Sequence, residues 1–238
     1  MLAAGRRYLP RGWADLGRQV AIWFGFLLAY QVARGISDRN PARAFTNGFR
    51  VVRLETHLTH RLYELTFEQF VAQRHWLAQL VTFTYWNSEF TVVGLTLLWI
   101  YIRRHDAFVR FRNSILLANV IGLLGYVLMP MAPPRLLGVG FVDSHRDSFV
   151  QLAANPYAAM PSLHACDSLI VGVVLASLSR HWWAKAFWMV WPAWVWFAVM
   201  ASGNHFWLDC VAGAGVALIS MSAVYKRDVN RVLDVRRT

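Results

Sequence analysis

His205 and Asp209 stand four residues apart in Gly203-Asn204-His205-Phe206-Trp207-Leu208-Asp209, at the mouth of an apolar run. On a helix that spacing puts both on one face, a turn from each other. A carboxylate bonded to one imidazole nitrogen fixes the tautomer and raises the basicity of the other, which suits a nucleophile. His164 follows Met160-Pro161-Ser162-Leu163 at the start of a different apolar run. From there it is placed to protonate a departing alcohol as general acid. Arg135, in Pro133-Pro134-Arg135, is a fixed cation of the type that stabilises charge on phosphoryl oxygens in a transition state. The four residues suit phosphoryl transfer through a phosphohistidine.

Each residue also has a plainer reading. A histidine at the end of an apolar run is usually interfacial, and His57, His60, His75, His105 and His181 are read that way. Pro161-Ser162 before His164 marks a helix start with a Ser cap, and a Pro-rich loop ending a span is ordinary. Asp209 shifts the balance, because ionisable groups inside membranes are costly and tend to be functional. Asp167 lies three residues beyond His164, on the same helical face. With Asn204 it is a candidate for binding a hydroxyl-rich head group or orienting His164; the plain alternative pairs it with Ser168, Asn204 or an arginine. Tyr157 and Arg146 are further candidates for substrate or acceptor binding. Glu89, with Asn87 and Ser88, either lines the cavity or pairs with an arginine.

These residues need a bilayer to position them. Hydrophobic residues make up 57% of the 238 and charged residues only 16%, against roughly a quarter charged in a soluble domain. Trp and Tyr are plentiful, as rings that favour the membrane–water interface should be. The net charge of +11 does not indicate a nucleic-acid partner, because the basic residues recur between apolar runs instead of forming one patch. Cys166 and Cys210 both fall inside apolar runs, which argues against a disulfide framework. The first apolar run is long and no small-residue cleavage site follows it, so no cleavable signal peptide is expected.

The pattern predicts an all-α fold: a single integral membrane domain over 1–238, a polytopic bundle of about six transmembrane helices. The expected spans are Gln19 to Ala33, Trp76 to Ile102, Ser114 to Met129, Leu163 to Leu178, Ala184 to Ala201 and Phe206 to Tyr225, with catalytic core spans over 114–225. The second is interrupted by Trp86-Asn87-Ser88-Glu89. Residues 37–75 are too polar to span: Phe49, Val52, Leu58, Leu62, Leu65 and Phe70 alternate with Arg53, Glu55, His57, Arg61, Glu64 and Glu68 at helix-like intervals. They read as one or two amphipathic helices lying at the interface or capping the bundle. Six spans put both termini on one side, which takes 15 of the 24 basic residues. That side is therefore expected to be cytoplasmic. Arg135, His164, His205 and Asp209 then share the extracytoplasmic edge.

The order Pro-Pro-Arg, Pro-Ser-x-His, His-x-x-x-Asp resembles the type 2 phosphatidic acid phosphatase superfamily of membrane lipid phosphatases and phosphotransferases. The wording around His164 and His205 is most similar to the inositol phosphorylceramide synthase-like branch. The resemblance implies that His205 is the nucleophile and Asp209 its partner. It implies that His164 is first the acid and then the base, that Arg135 binds phosphate, and that no metal or other cofactor is required. It also implies a membrane lipid phosphate as donor and water or an alcohol as acceptor. Two positions depart from the family pattern: Leu128 stands where its first motif has Lys, and Val199 where its third has Arg. Arg34, Arg50, Arg53 and Arg146 are candidate replacements.

Two other classes fit the same side chains. A transporter would relay protons through His164, His205 and Asp209, though no internal repeat of the kind many transporters carry is visible. A metal-dependent hydrolase would use them as ligands.

Overall fold

The computed structural model describes residues 9–37, 40–141 and 157–235. Arg146 lies outside the described residues, as does the side chain of Arg34. The described residues form nine α-helices: α1 Gly12–Ser37, α2 Pro41–Thr59, α3 Tyr63–Ala72, α4 His75–Ser88, α5 Thr91–Arg103, α6 His105–Leu128, α7 Leu163–Leu178, α8 Trp182–Ala201 and α9 Trp207–Val235. A 3-10 turn, Pro134–Leu136, follows α6. The protein is an all-helical membrane bundle. Helices α6, α8 and the Trp207–Lys226 part of α9 are long and apolar enough to cross a membrane, and α5 and α7 are shorter apolar helices.

Large apolar side chains face outward around the bundle, among them Phe24, Leu28, Phe83, Leu95, Leu124, Val190 and Ile219. In water such a continuous apolar surface would drive association; in a bilayer it meets acyl chains. Helix α7 is the inner element, with 11 of its 16 residues buried and its closest packing against α8 and α9. At roughly 1.5 Å per residue it is shorter than a bilayer core, and its neighbours cover it. Small residues allow the close approach. A Cβ on Gly213 of α9 would run into the Ser162 carbonyl, and one on Gly172 of α7 would stand 2.6 Å from the Trp188 carbonyl.

The expected spans map onto these helices with one difference. The second, Trp76 to Ile102, is two helices, α4 and α5, and the break falls at Glu89 and Phe90. The polar tetrad read in the sequence is where the break occurs, and it delivers a carboxylate to the bundle interior. The amphipathic stretch forms α2 and α3. Asn40 caps α2 by accepting from the Arg43 N–H at 3.1 Å, with Pro41 at the first helical position.

At the end of the bundle that holds the start of α1, Asp15 accepts from the Tyr101 hydroxyl at 3.0 Å, and Arg112 donates to Gln19 at 2.7 Å. These bonds tie α1 to α5 and α6. The motif loops lie at the opposite end, where α6 finishes and α7 and α9 begin.

Candidate active site

Three loops meet at that end and are joined through the main chain. The Met131 N–H donates to the Tyr157 carbonyl at 2.8 Å, Arg135 N–H to the Gly203 carbonyl at 3.0 Å, and Ser162 N–H to the Asp209 carbonyl at 3.0 Å. The last bond joins the start of α7 to the first turn of α9. Ser162 also caps α7, its hydroxyl accepting from the Ala165 N–H at 3.2 Å. Gly203 takes φ +67, the left-handed region that favours glycine, and Arg135 and Phe141 crowd the space a side chain would need. The cap and turn read from the sequence thus set His164 at the head of α7 and His205 just before α9.

The two imidazoles are neighbours, tilted by 56° with centroids 5.6 Å apart. His205 Nδ1 lies 2.8 Å from the Ala159 carbonyl. A carbonyl only accepts, so Nδ1 carries the proton and Nε2 keeps its lone pair. Burial holds the His205 imidazolium well below the ordinary histidine range, to about 4; the Ala159 bond opposes this and the Arg135 charge reinforces it. The ring is therefore neutral at pH 7. Asp209 Oδ2 stands 3.6 Å from Nδ1, and its hydrogen bond, at 2.8 Å, is to the Phe206 N–H. The expected carboxylate–imidazole hydrogen bond is replaced by one to the main chain, with Asp209 Oδ2 close to the ring.

Arg135 donates to Asn204 Oδ1 through a short hydrogen bond. Asn204 Nδ2 donates to the Ser202 hydroxyl at 2.8 Å, so its amide is held at both ends. His164 stacks on Tyr85 at 4.6 Å and 17°, and its Nε2 lies 3.3 Å from Glu89 Oε2. Glu89 is thus paired with a histidine, where the alternative expected an arginine.

Asp167 is buried one turn below His164, and Asn119 Nδ2 donates to both its oxygens at 3.0 and 3.1 Å. That bond crosses from α6 to α7, so the partner is none of those expected. Tyr157 packs edge-on against Phe45 of α2, 6.2 Å between centroids. Leu128 and Val199 serve through their carbonyls: Leu128 accepts from the Arg43 guanidinium at 2.9 Å, and Val199 accepts from the N–H groups of Asn204 and His205. Arg50 donates to Asn47 at 3.3 Å, and Arg53 is exposed. Among the described residues, Arg135 is the candidate cation that acts on the His205 ring. Glu55 and Glu64, read as polar positions of an amphipathic surface, are fully buried against the first turn of α9.

The fold and this loop cluster define a helical membrane protein with a two-histidine, one-arginine centre at one end of its bundle. The chain belongs to the PAP2 superfamily, whose family model matches residues 50–223. It is 27% identical over 175 residues to the phosphoinositol dihydroceramide synthase of Bacteroides thetaiotaomicron, covering 63% of this chain and 57% of that protein. The chain therefore spans a little over half the length of that relative. The crystal structure of Aquifex aeolicus LpxE shares the fold, with a TM-score of 0.53 and 19% identity over 68% of this chain and 93% of that one.

Proposed function

We propose that the protein is a membrane lipid phosphotransferase or phosphatase working through a phosphohistidine on His205. The observation that carries this reading is the Nδ1 bond to the Ala159 carbonyl, which leaves a neutral imidazole with its Nε2 lone pair available beside Arg135. In the first step Nε2 attacks the phosphorus of a lipid phosphate. A P–N bond forms, the bond to the lipid oxygen breaks, and that oxygen takes a proton from the His164–Glu89 pair. In the second step the acceptor hydroxyl returns a proton to the pair, its oxygen attacks phosphorus, and the P–N bond breaks to restore His205. Arg135, steadied by Asn204, neutralises charge on the non-bridging oxygens as the transition state forms. None of these steps draws on a metal or other cofactor.

Water as acceptor makes a phosphatase and an alcohol makes a transferase, and both share this chemistry. We favour the alcohol. The motif wording resembles the inositol phosphorylceramide synthase-like branch, and the name of the Bacteroides relative pairs a phosphoinositol group with a dihydroceramide, a lipid alcohol. The basic bias of the terminal side supports cytoplasmic termini and an extracytoplasmic site; an extracytoplasmic reporter signal from a fusion at Thr238 would reverse that orientation. The test of function is an acceptor screen with purified protein in lipid, following phosphate release and new phospholipid products together. A new lipid product without stoichiometric phosphate release supports the transferase; phosphate release alone supports the phosphatase. Neither product from any lipid phosphate removes the proposal.

A further inference from the structure

The first turn of α9 is capped in an unusual way. Phe206, the residue before the helix, has no side-chain oxygen to offer its orphan N–H groups. Three carboxylates supply them instead. Asp209 reaches back to the Phe206 N–H at 2.8 Å, Glu64 of α3 accepts from Trp207 at 2.7 Å, and Glu55 of α2 accepts from Leu208 at 2.9 Å. The Asp209 bond is the reciprocal half of a capping box. The other two come from 143 and 153 residues away.

A single Ser or Asn before the helix would contribute a cap worth about 1 kcal/mol without burying any charge. Here Glu55 and Glu64 are fully buried, and their carboxyl groups act directly on each other. Burying carboxylates together is costly, and burial and the neighbouring Glu64 push the Glu55 carboxyl up to about 9. The helix N-terminus, with its partial positive charge, offsets part of that cost. The arrangement fixes one thing a local cap cannot: the start of α9 relative to both interfacial helices.

We infer that Glu55 and Glu64 are positioning residues for His205, locking the peptide units just after it to α2 and α3 so that Nε2 keeps its line of attack. The inference rests on His205 being the nucleophile. His205 is then held from three directions: its ring on the Ala159 carbonyl, its N–H on the Val199 carbonyl, and the following peptides on the carboxylates. Glu55→Ala and Glu64→Ala free the first turn, whereas Glu→Gln keeps an oxygen at each N–H. Glu→Asp keeps the carboxyl group and its burial but falls one methylene short.

The test measures kcat and KM in lipid for the Ala, Gln and Asp variants at both positions, beside His205→Ala and with detergent-phase melting as a check on folding. The Asp variants, which serve where the Ala variants do not fold, are expected to lose about 10- to 100-fold in kcat at little-changed KM, the scale of an ångström-sized misplacement. The Gln variants are expected to stay within about threefold of wild type. Asp variants with wild-type kcat, or Gln variants as impaired as Asp, overturn the inference; a lowered melting temperature with intact kcat does the same, because it reduces the carboxylates to stability alone. His205→Ala with full turnover overturns the nucleophile reading and the inference with it. An inactive His205→Ala beside unimpaired Asp variants removes only the inference.

Discussion

His205 gives its Nδ1 proton to the carbonyl of Ala159, 2.8 Å away, while Asp209 stands at 3.6 Å. The tautomer of His205 is thus set by main chain from the loop that leads into His164, and Asp209 is free to cap α9 while standing close to the ring.

Asp209→Asn tests that division of labour. The amide oxygen still accepts from the Phe206 N–H, so the melting temperature is expected to hold. A carboxylate charge acting on the proposed phosphohistidine would be lost in the variant, and kcat is then expected to fall roughly 100-fold. That is less than the ~4 kcal/mol that two unit charges 4 Å apart exchange at an effective dielectric of 20. Unchanged kcat would show that the carboxylate serves the helix cap alone.

Arg135 and Asn204 act as one unit. Arg135→Ala is expected to lower kcat by about 100- to 1,000-fold, as loss of a transition-state charge stabiliser does. Asn204→Ala alone is expected to cost less, and the double variant no more than Arg135→Ala, because Asn204 works through the arginine it steadies. Additive losses in steady-state kinetics would separate the two.

Glu89 and His164 are expected to behave as a coupled pair. Glu89→Gln should lower kcat, and combining it with His164→Ala should add nothing further. A double variant markedly worse than His164→Ala would mean that Glu89 acts elsewhere.

Stability should depend on pH through Glu55. Burial and the neighbouring Glu64 push its carboxyl from an ordinary 4.5 up to about 9, so the folded chain holds a proton that the unfolded chain releases. The stabilising contribution is complete below about 4.5 and is lost as pH rises towards 9. Melting temperatures in detergent should fall across that window. Glu55→Gln, neutral throughout, should flatten the fall, and an identical slope in the variant would contradict the assignment.

Much of this site was legible in the sequence, because side-chain identity carried it. The order of Arg135, His164, His205 and Asp209 at the edges of apolar runs marks them before any coordinates are known, and the polar tetrad ending in Glu89 marks the break between α4 and α5. Three features were not legible. The partner of His205 is a carbonyl, which every residue has, so Ala159 gives no sign of its role. Asp167 meets Asn119 across two helices, a pairing set by helix rotation and not by local spacing. Glu55 and Glu64 alternate with apolar residues as solvated positions do, and only the docking of α2 and α3 over α9 buries them.

The central claim is the covalent intermediate on His205. Wild-type protein in lipid, mixed with a phosphorus-labelled lipid phosphate and quenched in base within a turnover, should retain acid-labile, base-stable label on the peptide holding His205. His205→Ala should retain none, and His164→Ala should accumulate less or discharge it slowly. Turnover by wild type with no label on that peptide, or label undiminished in His205→Ala, would contradict the account.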